Sequence, residues 1–200
     1  MSLIVTREAI DFTAKAVMPD NSIDDQFNFK IYAENRYAVL FFYPLNFTFV
    51  CPTEIIAFSN RIAAFQERNA AVIGVSIDSH FSHLAWKNTP TKLGGIGDVT
   101  YPLVSDLSKS ISKSYDVLLE DSVALRATVV VDKNFTVRHM SVNDLPLGRN
   151  VDEVLRIIDC AQHNDLNGEV CPAGWDKEKE ALRPTQEDTA DYIASNKDEL

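Results

Sequence analysis

The sequence predicts an α/β fold, and three consecutive stretches carry the prediction. Tyr37 to Tyr43 (YAVLFFY) is a β-branched and aromatic run of strand length, too continuously apolar for a half-exposed strand and suited to a central one. Beyond Pro44 and a short loop, Pro52 opens a segment in which Ile55, Phe58, Ile62 and Phe65 recur at spacings of three and four, which marks an amphipathic helix with proline in its first turn. Ala70 to Ile77 (AAVIGVSI) is the next strand. A strand, helix, strand run this short implies a right-handed parallel crossover.

The later elements extend that unit. His80 to Asn88 reads as a short helix that ends before the Gly94-Gly95-Ile96-Gly97 loop. Ala124 to Val131 and Thr136 to Val142 are β-rich runs joined by Asp132-Lys133-Asn134-Phe135, a turn-rich link of hairpin length, so these strands are expected to be antiparallel. Asn150 with Glu153 three residues on is a variant capping box, opening a helix that carries Val151, Val154, Leu155 and Ile158 on one side. A β-α-β unit, a hairpin and a closing helix make the layout of a thioredoxin-like sheet with added elements. From about Asp165 the composition turns polar and charged, which predicts a domain over 1–164 and a C-terminal arm over 165–200.

Composition narrows the function classes. The 29 acidic against 19 basic side chains give a formal net charge of -10, which argues against a nucleic-acid or anionic-membrane surface as the main partner. No apolar run approaches the roughly 20 residues needed to span a bilayer. The N-terminus, MSLIVTREAIDFTAKAV, lacks the basic and apolar regions of a secretory signal, so the expected compartment is the cytoplasm. The last four residues, Lys197 to Leu200, spell the ER-retention address, which is read as a coincidence for the same reason. Three cysteines are too few for a disulfide-stapled scaffold, and this turns attention to thiol reactivity. His80, His83, His139 and His163 are scattered, with no Cys-x-x-Cys or His-x-x-x-His spacing, so no metal or other cofactor is expected.

One loop concentrates the chemistry. Between the first predicted strand and its helix lies Pro44-Leu45-Asn46-Phe47-Thr48-Phe49-Val50-Cys51-Pro52-Thr53-Glu54. A cysteine just before Pro52 stands at or next to a helix start, where unpaired backbone N–H groups and the positive dipole end favour a thiolate. Thr48, three residues earlier, is placed to fold its hydroxyl back toward the sulfur or an incoming oxygen. Read without context, Cys51 is equally a small buried hydrophobe and Thr48 a loop-stabilising hydroxyl.

The string Pro-x-x-x-Thr-x-x-Cys with the surrounding FTFVCPTE resembles the active-site signature of the peroxiredoxins, and agreement extends to Gly94–Gly97, Arg126, NDLPLGR ending at Arg149, and GEVCPAGW around Cys171. The resemblance is to the typical two-cysteine class, a thioredoxin-like fold with peroxiredoxin insertions. It implies that Cys51 is the peroxidatic nucleophile, that Pro44 shields its sulfur, that Thr48 hydrogen-bonds the peroxide and that Arg126 holds the thiolate and the polarised oxygens. Thiolate attack on one peroxide oxygen builds negative charge on the other, so a fixed cation and hydroxyl stabilise the transition state more than the ground state. Glu54 and Arg149 resemble the pair that orients Arg126 and the loop, although an ordinary ion pair reads the same way in sequence. Cys171 resembles the resolving cysteine, supplied by the other subunit of a homodimer. Cys160 matches no motif and reads as a packed structural thiol.

The resemblance also implies partners: a hydroperoxide substrate, an external dithiol reductant (thioredoxin or a dedicated reductase), and dimers joined five to a ring through contacts near Ser76 to Trp86. Two other functions are weighed. A thioredoxin-type carrier would need a cysteine at position 54, where Glu54 stands. A holdase chaperone or redox-signalling ring protein is compatible with the same assembly. Two positions depart from the family pattern: Asn46 replaces an acidic residue, and Tyr192-Ile193 stands where overoxidation-sensitive members carry Tyr-Phe.

Overall fold

The protein is described by a computed structural model covering residues 4–198. Of the C-terminal Lys197 to Leu200 address, Glu199 and Leu200 lie outside the described residues. The chain forms two compact units, Met1–Val151 and Asp152–Leu200. The first unit runs β1 (Thr13–Val17), β2 (Ile23–Asn28), α1 (Phe29–Tyr32), β3 (Tyr37–Phe42), α2 (Cys51–Asn60), α3 (Ile62–Glu67), β4 (Ala70–Ser76), α4 (His80–Asn88), β5 (Leu103–Ser105), α5 (Ser110–Ser114), β6 (Leu118–Leu119), β7 (Val123–Ala124), β8 (Arg126–Val131) and β9 (Val137–Asn143). The second consists of α6 (Val151–Asn167, whose first residue closes the first unit) and α7 (Gln186–Asn196).

Seven strands form one sheet in the order β2-β1-β5-β4-β3-β8-β9. β3 is parallel to β4 and antiparallel to β8, and β8 and β9 form the expected antiparallel hairpin. Every residue of β3, β4 and β8 is buried, which is why their sequences are mostly apolar rather than alternating, with Ser76, Arg126 and Thr128 as the buried polar exceptions. The arrangement is a mixed α/β, thioredoxin-like fold with added elements. No helix among the described residues is long and apolar enough to cross a membrane.

Register decides which side chains reach which face. Phe41 pairs with Gly74 on one side and with Thr128 on the other, so these three share a face, and two-residue alternation puts Arg126 on it as well. Leu40, Ile73 and Val129 are likewise in register and belong to the opposite face, within a core that includes Phe29, Tyr115 and Phe135. On the Phe41 face lies α2: the Phe41 and Phe58 rings stack at 4.4 Å, and Tyr101 Oη donates to the Ile55 carbonyl at 2.7 Å. Gly74 makes room for this, since a Cβ there would sit 2.9 Å from both Phe41 and Leu103 side chains.

Two boundaries differ from the sequence expectation. The helix expected to run on from Pro52 breaks at Arg61 (φ -108°, ψ 11°), which ends α2 and begins α3. Apolar spacing cannot signal the break, because Phe58 and Phe65 still meet across it at 5.9 Å. The strand expected over Ala124 to Val131 changes partners at Leu125: β7 pairs with β6, and β8 joins the main sheet. Glu153 gives both oxygens to Arg156, at 2.6 and 2.7 Å. The Gly94–Gly97 loop is held by Trp86 Nε1, which donates to the Gly94 carbonyl at 2.8 Å, and Gly95 passes so close to Thr89 that a Cβ would overlap its carbonyl.

Candidate active site

Cys51 is the first residue of α2 and has no accessible surface. Pro52 occupies the first turn, where a missing N–H costs nothing, and Glu54 is the acidic residue of that turn. The loop before it is anchored by a polar network that position 46 makes possible. Asn46 Oδ1 accepts from Tyr43 Oη (3.0 Å), its Nδ2 donates to Ser82 Oγ (2.9 Å) and to His83 Nδ1 (3.0 Å), and its backbone N–H donates to Asp78 Oδ2 (2.9 Å). His83 Nε2 in turn donates to the Val104 carbonyl at 3.1 Å. A carboxylate at position 46 could not make the two donations, so the departure from the family pattern is matched by its surroundings.

Within the loop, Pro44 is buried directly after Tyr43, and Phe47 takes a left-handed conformation (φ 53°) with its ring against Trp86 at 5.5 Å. The turn lets Thr48 Oγ1 donate to the Leu45 carbonyl at 2.9 Å, which fixes the hydroxyl on the inside of the loop.

Arg126 arrives from β8, on the face its register dictates. Its Nη1 donates to Cys51 Sγ at 3.4 Å and to Glu54 Oε2 at 2.7 Å, while its Nε donates to the Leu145 carbonyl at 2.6 Å. Arg149 completes the cluster. Its Nε and backbone N–H both meet Glu54 Oε1 at 2.9 Å and its Nη2 meets Oε2 at 2.9 Å, while its Nη1 donates to the carbonyls of Phe42 and Ala127, both at 2.8 Å. The guanidinium also lies over the Phe41 ring at 5.1 Å. Burial, the largest single influence on Glu54, acts to raise its carboxyl, but Arg149 and then Arg126 outweigh it and hold the group below its usual 4.5. Two cations, one carboxylate and one sulfur therefore share a buried site with net positive surroundings for the sulfur.

The sequence model of the AhpC/TSA family matches residues 5–140, and that of the C-terminal domain of 1-Cys peroxiredoxin matches 161–195. Among curated relatives, alkyl hydroperoxide reductase C of Helicobacter pylori is 52% identical over 194 residues, covering 97% of this chain and 98% of its own. Among solved structures, reduced 2-Cys peroxiredoxin from Plasmodium vivax superposes with a TM-score of 0.94 at 50% identity, covering 96% of this chain and 100% of that one. The chain belongs to the typical two-cysteine peroxiredoxins. It is a thiol-dependent peroxidase. Human thioredoxin-dependent peroxide reductase, named as mitochondrial, is 49% identical over 194 residues, spanning 94% of this chain and 73% of its own.

In this peroxiredoxin hydrogen bonds join Cys51, Glu54, Arg126 and Arg149 into one cluster of the first unit, whereas Pro44 and Thr48 lie in the loop before Cys51, with the Thr48 hydroxyl on the Leu45 carbonyl rather than on the sulfur. Cys171 belongs to the second unit, where it is partly exposed and its Sγ lies 3.6 Å from the Cys160 carbonyl oxygen. Sequence reasoning missed that Leu145 supplies the acceptor for Arg126. It also missed that Arg156 reaches Cys160, with Nη1 3.5 Å from Sγ. The (i, i+4) spacing of Arg156 and Cys160 on one helix was the available signal.

Proposed function

We propose that Cys51 attacks hydrogen peroxide and alkyl hydroperoxides as the peroxidatic thiolate and becomes a sulfenic acid. In this reading Thr48 orients the peroxide, Pro44 keeps water from the sulfur, and Arg126 stabilises both the thiolate and the oxygen on which charge develops. Glu54 and Arg149 are positioning residues that act through Arg126. Cys171, carried on an arm over 165–200, then condenses with the Cys51 sulfenic acid of the partner subunit, releasing water and closing an intersubunit disulfide. That step needs the first turn of α2 to open, because a disulfide requires Cα atoms within roughly 7 Å. An external dithiol, thioredoxin or a dedicated reductase, restores both thiols.

The observation that carries the reading is the 3.4 Å bond from Arg126 Nη1 to a fully buried Cys51 sulfur at a helix start. Peroxide consumption with dithiothreitol tests it. Cys51→Ser abolishes turnover, since a serine hydroxyl is barely ionised near neutral pH, and Arg126→Ala slows single-turnover oxidation by one to several orders of magnitude. Retained turnover in Cys51→Ser would sink the mechanism. Oxidised wild type runs as a covalent dimer on a non-reducing gel and Cys171→Ser as a monomer.

Dimers joined five to a ring are part of the same proposal. Phe47, Phe49 and Phe81 are 53%, 93% and 67% exposed, and Phe81 lies in the Ser76 to Trp86 stretch, which supports further association. Sedimentation of the reduced protein as dimers alone would refute the ring. The same surface favours a holdase as a second activity, tested by suppression of client aggregation in Cys51→Ser. The compartment we propose is the cytoplasm, whose reductants suit three thiols with no structural disulfide. Imaging of the tagged chain tests that assignment.

A further inference from the structure

Cys160 lies outside the peroxide site, yet the local fold of the second unit sets it beside Cys171. α6 ends at Asn167, and Gly168 (φ 69°) turns the chain back, its N–H bonding the Asn164 carbonyl at 2.9 Å. Side chains from the last helical turn pin the returning segment: Asn164 Nδ2 donates to the Glu169 carbonyl at 2.8 Å, and His163 Nε2 meets Glu169 Oε2 at 2.7 Å. Val170 is then paired with Leu182 by backbone bonds of 2.7 and 3.0 Å. The consequence is that Cys171 Sγ contacts the Cys160 carbonyl at 3.6 Å, which brings the two cysteines side by side. Arg156, held by Glu153 and by the Trp175 carbonyl (3.0 Å), directs Nη1 at Cys160 Sγ. Neither cysteine is fully buried.

We propose that Cys160 is a third redox-active thiol, which takes Cys171 out of the intersubunit disulfide and closes an intrachain Cys160–Cys171 disulfide. The proposal rests on the reading of Cys171 as the resolving cysteine. In the step, the Cys160 thiolate attacks Cys171 Sγ, the Cys160–Cys171 bond forms, the Cys51–Cys171 bond breaks, and Cys51 leaves as a thiolate. One disulfide replaces another, so no oxidant or reductant is consumed; the Cys160 proton passes to solvent. The external dithiol then reduces the intrachain bond.

The surroundings order the two thiols in time. Burial, and then the neighbouring Cys171 sulfur, push Cys160 up to about 12; burial raises Cys171 above its ordinary value as well, so Cys160 is the more firmly protonated of the two and Cys171 is the thiol that meets the sulfenic acid first. Once Cys171 is in a disulfide it no longer competes as a thiol, while the Arg156 cation stays beside the Cys160 sulfur. Attack is then intramolecular, across only the ten residues between the cysteines, and effective concentration compensates for a sparse thiolate.

The test follows disulfides with time after one equivalent of peroxide is added to reduced full-length protein and the thiols are trapped by alkylation. In wild type the covalent dimer rises and then declines, while mass spectrometry of the digest shows a Cys160–Cys171 linked peptide and alkylated Cys51. In Cys160→Ser the dimer forms at the same rate and persists about tenfold longer or more. A second arm treats Cys51→Ser with diamide, which joins neighbouring thiols without the peroxide site, and yields the same linked peptide. Absence of that peptide in the diamide arm overturns the pairing itself. A link in the diamide arm, with a wild-type dimer as long-lived as that of Cys160→Ser, overturns the relay. Failure of any dimer to form in either peroxide arm instead removes Cys171 as resolving cysteine, and the relay with it.

Discussion

Arg126 turns one nitrogen, Nη1, on both the Cys51 sulfur at 3.4 Å and Glu54 Oε2 at 2.7 Å. The carboxylate thereby fixes the cation at the sulfur and competes for its charge. Both arginines and Glu54 are almost wholly buried, so the cluster is stable only while its charges remain matched.

Glu54→Gln keeps the shape and removes the negative charge between two arginines. It is expected to lower global stability by about 3 kcal/mol. Single-turnover oxidation of Cys51 should slow by about tenfold or more as Arg126 loses its anchor. Urea unfolding and stopped-flow oxidation measure the two effects, and an unchanged oxidation rate in a folded variant would remove Glu54 from the site. The pH dependence has a definite sign: because the folded-state pKa is depressed, this contribution is fully present above 4.5 and is lost as pH falls through the folded value.

His83 gives a second acid-sensitive element, in a different window. Burial outweighs Asp78 and the Val104 bond and lowers its pKa from 6.5 to about 4. Between those values the unfolded chain binds a proton that the folded chain refuses, so stability rises with pH across the window and falls on acidification, by up to about 3 kcal/mol. Chemical denaturation at pH 7, 6, 5 and 4 should show this slope, and His83→Gln should flatten it. A slope identical in both proteins would assign it to other groups.

Gly74→Ala tests the packing that carries the site. The added methyl would sit 2.9 Å from the ends of the Phe41 and Leu103 side chains, in the middle of a strand buried along its length, so at least one of them must shift. A loss of about 1 to 3 kcal/mol is expected, with slower Cys51 oxidation because the Phe41 ring also supports Arg149. A variant as stable as wild type would show that the Phe41–Phe58 stack shifts at little cost.

Sensitivity to overoxidation is expected to be intermediate. α7 is capped by Thr185 and carries Tyr192 followed by Ile193, which is 49% exposed. An aliphatic side chain at 193 gives up ring stacking worth ~0.5 to 1.5 kcal/mol, up to about tenfold in an opening equilibrium. Ile193→Phe should need less peroxide to convert Cys51 to sulfinic acid, and a chain ending at Thr185 should need more. Mass spectrometry against peroxide dose reads the order; superimposed curves would show that α7 does not gate resolution.

The strands flanking the site were legible because β3, β4 and β8 are buried on both faces and are therefore apolar at most positions. β1 and β2 were not: Ile23–Asn28 (IDDQFN) is an edge strand, mostly exposed, whose pattern is set by solvent rather than by a core. α7 escaped for the same reason, having no buried residue of its own. At the site, the loop and Cys51 could be read from a helix start after a strand. Arg126 and Arg149 lie 75 and 98 residues further on, and nothing in spacing brings them back. Resemblance named them, and the β3–β8 register supplies the physical reason for one of them. Cys160 read as an isolated packing thiol because the Gly168 turn that returns Cys171 to it joins residues eleven apart.

A sulfur with no accessible surface also makes Cys51 a size filter. A hydroperoxide leads with its narrow terminal O–O end whatever alkyl group follows, whereas aromatic disulfides and maleimides present a broad reacting group to a closed α2 start. Bulky reagents must wait for the helix end to fray, so the rate at which they label Cys51 counts openings rather than chemical reactivity. The ratio of peroxide to maleimide rates, compared between native and mildly denatured protein, thus becomes a ruler for how often the closed pocket breathes.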